Sequence, residues 1–341
     1  MNPNFSPADF PAGHNFFAPA SDANGVTPGR SFFAPANIAL IKYWGKRDGR
    51  LNLPTNSSLS LGLGALGTRT AVQAAARDEF ILNGEALPRD GAFVRKVFHF
   101  IELWEPRRPP LRIISHNSIP TGAGLASSAS GFAALTRALN HFFHWELGSV
   151  ELSRRARRGS GSACRSLWPG FVLWRKGEAA DGSDSYGLPL AYDWPTLRLA
   201  ILPVDLRTKG TSSRDGMNHT VATSPLYSVW AATAADDLLQ LEAALAERDF
   251  ARLGAVAEGN ALAMHATMLA ARPALCYLQP QSLDYLRRLW AARAEGLAAY
   301  ATIDAGANIK LIFEEASTNA LRQLFPEALL VNPWEPVAED C

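Results

Sequence analysis

A chain of 341 residues with 48% hydrophobic content is long enough to fill two hydrophobic cores. Its 33 basic and 32 acidic residues nearly cancel, which argues against nucleic acid or a membrane surface as the main partner and makes any site for an acidic ligand a local cluster. Cys164, Cys276 and Cys341 are too few and too widely spaced for a disulfide framework or a zinc site, and a reducing cytoplasm suits them best.

The N-terminal stretch, rich in Pro, Ala, Asn and Phe and without a basic leader pattern, predicts a flexible extension over residues 1–30. The first ordered element is expected within Ser31–Asp48, whose apolar residues fit an early strand interrupted by Pro35 and leading to a polar turn at Lys46–Asn52. Apolar residues precede Lys42, and Tyr43 and Trp44 follow it. A lysine among such neighbours needs either a snorkelling path to water or a buried acidic partner. Lys46 and Arg47 sit in the polar turn beyond. A loop then runs into a strand near Leu59, with further strands over Thr68–Ala75 (carrying Arg69) and Glu79–Leu82. Phe93, Val97, Phe98 and Ile101 have helical spacing.

Leu111–Ile114 reads as a buried strand, and Phe132, Leu135, Leu139 and Phe142 as a helix. Between them lies Pro120-Thr121-Gly122-Ala123-Gly124-Leu125-Ala126-Ser127-Ser128-Ala129-Ser130-Gly131. A small-residue turn that opens a helix points several backbone N–H groups at one place, where the helix dipole adds positive potential, and a phosphate suits it. Gly122 and Gly124 allow close approach of an anion, and Ser127 and Ser128 offer hydroxyls to phosphate or metal. Neither a Walker A loop nor a dinucleotide fingerprint is present. On local composition a Ser-capped helix with a Gly-rich lead-in explains the stretch equally well.

A short basic helix over Val150–Arg158 leads to a second Gly/Ser turn, Gly159-Ser160-Gly161-Ser162-Ala163-Cys164-Arg165-Ser166, and a strand at Phe171–Trp174. Two such turns with scattered cations suggest one pocket for a polyanion. Asp181–Pro195 is turn-rich, and Leu197–Val204 reads as a strand. Thr208–Pro225 is polar and includes Ser213 and Arg214. Helices are expected over Trp230–Arg248, Phe250–Met268 and Leu283–Tyr300, with His265 a packed, hydrogen-bonded residue rather than a ligand. Ala299–Phe313 reads as strand, turn, strand. Asp304 at the turn is either a turn-former or a carboxylate presented to substrate as a general base.

Taken together these segments resemble the GHMP kinase superfamily and, within it, the diphosphomevalonate decarboxylase family. The stretches that carry the likeness are Asn37–Asp48, Leu51–Ser58, Pro120–Ser128, Gly159–Ser166, Thr220–Ser224 and Asp304-Ala305-Gly306-Ala307-Asn308. Each is weak alone; their order from about Phe33 to Phe313 makes them specific. The resemblance implies an α/β fold of two domains, 31–195 and 196–341, with a left-handed βαβ crossover in the first, a ferredoxin-like second, and the active site between them. It implies ATP- and Mg2+-dependent conversion of mevalonate 5-diphosphate to isopentenyl diphosphate and CO2. Within that scheme Asp304 orients or deprotonates the 3-hydroxyl, Lys42 supports Asp304, and Arg165 holds the substrate carboxylate. Tyr43, Lys46, Ser160, Ser162, Ser213 and Arg214 match substrate-holding positions, with Arg69 added. The loop Gly122, Ala123, Gly124, Leu125, Ala126, Ser127 and Ser128 would cradle ATP, the two serines lying near Mg2+. A homodimer is also implied. Alternatives on the same fold are a phosphomevalonate decarboxylase and a mevalonate 3-kinase; from another class, a non-catalytic nucleotide-binding regulator.

Overall fold

The computed structural model describes residues 30–119, 127–205 and 210–336. In chain order the first half contains β1 (Ser31–Ile41), β2 (Lys46–Asp48), β3 (Leu53–Pro54), β4 (Ser58–Ala74), β5 (Glu79–Leu82), β6 (Glu85–Ala86), α1 (Ala92–Glu102), β7 (Leu111–Asn117), α2 (Ser127–Phe142), α3 (Ser149–Gly159), a 3-10 turn (Gly161–Arg165), β8 (Phe171–Trp174) and β9 (Gly187–Pro189). β4 is its spine. β1 runs antiparallel along one edge of β4, while β7 and β8 share the other. β5 pairs parallel with β7, and α1 lies in the connection between them.

Pro35 does not break β1. The strand continues past it with a register shift between Pro35 and Asn37, the kind of irregularity at which a sheet tolerates a residue without an N–H. The expected separate strands at Leu59 and Thr68 are one 17-residue strand, because Gly62, Gly64 and Gly67 interrupt its apolar pattern without ending its pairing.

The second half contains β10 (Leu197–Leu202), α4 (Ser213–Thr223), α5 (Tyr227–Glu247), α6 (Phe250–Leu269), α7 (Pro280–Ala294), β11 (Ala299–Ile303), β12 (Ile309–Glu314), α8 (Thr318–Leu324) and β13 (Leu329–Val331). Its sheet is antiparallel throughout, in the order β11-β12-β10-β13. α7 ends before Tyr300, which belongs to β11. α4 was hidden inside a polar stretch. Its start is marked by Ser212, whose hydroxyl accepts from the Asp215 N–H at 3.2 Å, a Ser-x-x-Asp pattern that caps a helix.

Four apolar cores hold the described residues together, the smallest of them around Trp44, Met217, Trp230 and Met264. One lies between α1, α2 and the first sheet around Phe98, Ile113 and Leu135. Another lies in the second half around Leu289, Leu311 and Phe313. A third joins the halves: Ile38, Leu40 and Leu61 pack with Leu199, Leu241, Leu253 and Ile312. β1 therefore enters the shared core, and its C-terminal end delivers Lys42 to the junction. Among the described residues no helix is long and apolar enough to cross a membrane.

Candidate active site

A cleft of about 710 Å³ opens where the halves meet, and one end of it is built around a buried ion pair. Lys42 is only 2% exposed, and its Nζ donates to Asp304 Oδ1 at 2.8 Å and to the Ala39 carbonyl at 2.8 Å. Its backbone is pinned as well: its N–H donates to Asn260 Oδ1 and its carbonyl accepts from Asn56 Nδ2, both at 2.8 Å. The buried acidic partner is thus the alternative that the fold realises. Burial pulls the Lys42 ammonium down to about 8 even though Asp304 opposes it.

Asp304 sits in the tight turn after β11, where its carbonyl accepts from the Gly306 N–H at 2.7 Å and meets His265 Nε2 at 3.1 Å. Its carboxylate is 28% exposed and faces the cleft. Burial alone would raise its pKa; Lys42 and Lys310 outweigh that and hold it well below the ordinary carboxylate range. His265, packed and hydrogen-bonded as its sequence context suggested, is pulled by burial down to about 4. It is therefore neutral near pH 7.

Arg165 enters from the 3-10 turn. One guanidinium nitrogen donates to Ser58 Oγ and another to Asn37 Oδ1 at 3.3 Å, while the group lies over the Trp174 ring. Its buried Nε has no hydrogen-bond partner among the described residues. Asn37 also donates to Ser166 Oγ at 2.7 Å, tying β1 to this turn. Gly161 is required here because a Cβ would lie 2.8 Å from the Tyr43 ring and hydroxyl. Tyr43 stands edge-on to Trp174 at 4.6 Å. Burial pushes the Cys164 thiol up to about 12, so it is no nucleophile.

The opposite end is cationic. Lys46, Lys96 and Arg214 line it together with Ser128, Ser160, Ser162 and Ser213. Lys46 donates to Asn52 Oδ1 at 2.7 Å, and Ser128 and Ser160 share a hydroxyl contact at 3.3 Å. Desolvation first, then Arg214 and Lys96, lowers Lys46 to about 8. Desolvation and Arg214 do the same to Lys96, whose ammonium lies over the Phe132 ring. Mutually repelling cations of this kind are relieved by a bound anion.

Next door, between α1, α2 and the first sheet, lies a more apolar pocket of about 240 Å³. Phe80, Val97, Phe132 and Leu135 form its walls, Thr68, Ser115, Asn117 and Ser127 supply polar groups, and Phe93 and Ser128 border both it and the cleft.

The fold therefore brings Asp304, Lys42, Arg165, Tyr43, Lys46, Ser160, Ser162, Ser213, Arg214 and Ser128 to one cleft, with Ser127 on the adjoining pocket. Gly122, Ala123, Gly124, Leu125 and Ala126 lie outside the described residues. Arg69 does not join the cleft lining: it lies within β4 with its guanidinium over the Phe33 ring. Sequence reasoning missed Lys96 and Lys310. Lys310 carried a signal, since it is a lysine within the apolar run Ile309–Phe313, the same anomaly that singled out Lys42. Lys96 on an amphipathic helix carried none.

Two family patterns cover most of the chain: the diphosphomevalonate decarboxylase-like N-terminal domain over residues 34–187 and the mevalonate 5-diphosphate decarboxylase C-terminal domain over 199–336. The chain is 42% identical over 315 residues to diphosphomevalonate decarboxylase mvd1 of Aspergillus fumigatus, spanning 84% of this chain and 77% of that one. The structure of mevalonate diphosphate decarboxylase from Staphylococcus aureus superposes with a TM-score of 0.85 at 36% identity, covering 92% of this chain and 98% of that one. The structure of MDDEF in complex with MVAPP, AMPPCP and magnesium superposes with a TM-score of 0.83 at 39% identity, covering 89% and 96%. With its two-domain α/β fold of the GHMP kinase type and its site between the halves, the chain belongs to the diphosphomevalonate decarboxylase family.

Proposed function

We propose that this protein catalyses the ATP-dependent decarboxylation of mevalonate 5-diphosphate, yielding isopentenyl diphosphate, CO2, ADP and phosphate. The observation that carries the reading is the polarity of one cleft: a carboxylate clamped by a buried lysine at one end, a cluster of cations at the other. A substrate with a hydroxyl and carboxylate at one end and a diphosphate at the other matches that arrangement.

The tertiary hydroxyl at C3 is a poor leaving group, so ATP first converts it to a phosphate ester. Asp304 accepts the hydroxyl hydrogen bond and orients the oxygen toward the γ-phosphorus. Its low proton affinity makes it an aiming group early in the step, with the proton arriving as the new P–O bond acidifies the hydroxyl. Lys42 keeps Asp304 ionised and offsets the charge of the transferred phosphoryl group. The phosphate then leaves C3 with its bonding pair. The electrons of the C–COO bond form the alkene, and CO2 departs. Arg165, which lines the cleft, holds the carboxylate as that bond breaks. Lys46, Lys96 and Arg214, with Tyr43, Ser160, Ser162 and Ser213, grip the diphosphate and neighbouring ATP phosphates.

The small apolar pocket beside Ser127 and Ser128 suits the adenine base. Among the described residues no group of three acidic, His or Cys side chains could hold a metal. Ser127 or Ser128 would hold magnesium brought in with ATP, since Mg2+ keeps waters and phosphate oxygens and needs few protein donors. When bound it neutralises phosphate charge during transfer. As the resemblance implies, the working unit is a homodimer, which light scattering checks.

The test is CO2 release with ATP and Mg2+ from mevalonate, its 5-phosphate and its 5-diphosphate side by side. Release from the diphosphate in preference to the others is expected. Release chiefly from the monophosphate, or ADP formation without CO2, contradicts the reading.

A further inference from the structure

Asp304 is held by two ammonium groups, and the chemistry proposed above uses one of them. Lys310 reaches it from β12, 1% exposed, with its Nζ 3.3 Å from Oδ2, while Lys42 takes Oδ1 at 2.8 Å. β12 lies inside the second sheet, between β11 and β10, and its neighbours Ile309, Leu311, Ile312 and Phe313 are fully buried. Packing alone calls for a Leu or Met at such a position, and an ammonium there carries a desolvation cost. The register sets the target. Lys310 pairs with Thr302 on β11, two residues before Asp304. The Thr302 hydroxyl donates to the Ala39 carbonyl, which also accepts from Lys42 Nζ. Lys310, Thr302 and Lys42 thus converge beneath one carboxylate. Lys310 Nζ also donates to the Asn308 carbonyl at 3.4 Å, and the Asn308 side chain in turn accepts from the Val204 and Asp205 N–H groups, so the turn that carries Asp304 is tied to the segment that follows β10.

We propose that Lys310 is a positioning residue for the decarboxylation: it fixes Oδ2 so that the Asp304 carboxylate stays ionised and turned toward the substrate hydroxyl. This rests on the function proposed above and adds a residue to it. The other groups that face Asp304 are Lys42 from the end of β1, Arg165 from the 3-10 turn and neutral His265 from α6, which meets the Asp304 carbonyl. Tyr43 and the Cys164 thiol, beside Arg165, are both kept protonated by burial. Asp304 is therefore the acid whose titration Lys310 controls.

The experiment compares wild type with Lys310→Met, Lys310→Gln and Lys310→Arg. The Asp304 carboxyl is titrated by 13C NMR in the ligand-free enzyme, and kcat and KM for mevalonate 5-diphosphate are measured separately. Losing one opposite charge at this range shifts a carboxylate by about one pH unit or more. In the Met or Gln variant the Asp304 titration should move up by about that amount and kcat should fall with KM little changed, and the Arg variant should keep both near wild type. A folded Met or Gln variant whose Asp304 titrates as in wild type would make Lys310 a packing residue and overturn the proposal. Because the NMR titration needs no turnover, it separates that failure from a failure of the proposed reaction, which would show as no CO2 release by wild type.

Discussion

The two ends of the cleft solve opposite electrostatic problems. At the Asp304 end, one carboxylate is caught between buried lysines that come from separate strands, and every oxygen has a partner. At the Lys46 end, Lys96 and Arg214 crowd a third cation, and repulsion adds to desolvation in depressing the lysines. The first end carries its own counter-ion and is organised before substrate arrives. The second gains its counter-charge on binding. Preorganised charge belongs where bonds change, because it costs no rearrangement during the reaction; unneutralised charge belongs where affinity is gained.

That division is broken most severely at Asp304. Asp304→Asn preserves volume and removes the charge, so kcat should fall roughly 10³-fold or more while the Kd for mevalonate 5-diphosphate stays nearly unchanged. Its stability should fall by about 1.5–3 kcal/mol, the worth of a hydrogen bond to a charged group, which thermal unfolding reads. A loss of binding equal to the loss of kcat would erase the distinction between the ends.

Arg165→Ala sharpens the chemical end by splitting its two steps. Some ATP cleavage should persist while CO2 release drops about 10²-fold or more. Parallel ADP and CO2 assays measure the ratio, and equal loss of both would deny Arg165 a separate role in elimination.

The binding end should answer differently. Lys46→Ala, Lys96→Ala and Arg214→Ala should each raise KM for the diphosphate about 10- to 100-fold with kcat little changed, as expected from losing a charge-assisted hydrogen bond. A selective fall in kcat would move these residues to the chemical end.

The smallest effect expected is on pH dependence without substrate. Lys46 and Lys96 have folded pKa values lowered to about 8, so below pH 8 their charges oppose folding. As pH rises from 8 toward the unfolded value, the folded form sheds protons first and stability from these groups increases. Inorganic pyrophosphate should raise the melting temperature at pH 7 and bind progressively more weakly above pH 8. Calorimetric titration across that range reads it, and affinity independent of pH would contradict the cationic-end account.

Much of this was legible in the sequence for a physical reason. Lys42 sits in an apolar context that demands a partner, and Asp304 sits in a turn of small residues that leaves a carboxylate open to the cleft. The helical and strand periods of α2, α5, α6, β7 and β10 were equally plain. What escaped depended on partners distant in sequence. Lys310 repeats the Lys42 anomaly, yet its meaning required the register that sets it against Thr302. Lys96 resembles any solvated helix lysine until α1 is placed over the cleft. Arg69 lies outside the cleft lining with its guanidinium over the Phe33 ring, a placement set by pairing along β4 that its own segment does not show. The polar stretch Thr208–Pro225 holds α4, whose start is marked by the capping serine Ser212.

The most direct measurement of the central claim is CO2 release from mevalonate 5-diphosphate and 5-phosphate by wild type and by the Lys46→Met variant. Wild type should strongly prefer the diphosphate, and the variant should lose most of that preference through KM while keeping its kcat. Equal use of the two substrates by wild type would contradict the account, because the cationic end would then have no second phosphate to hold.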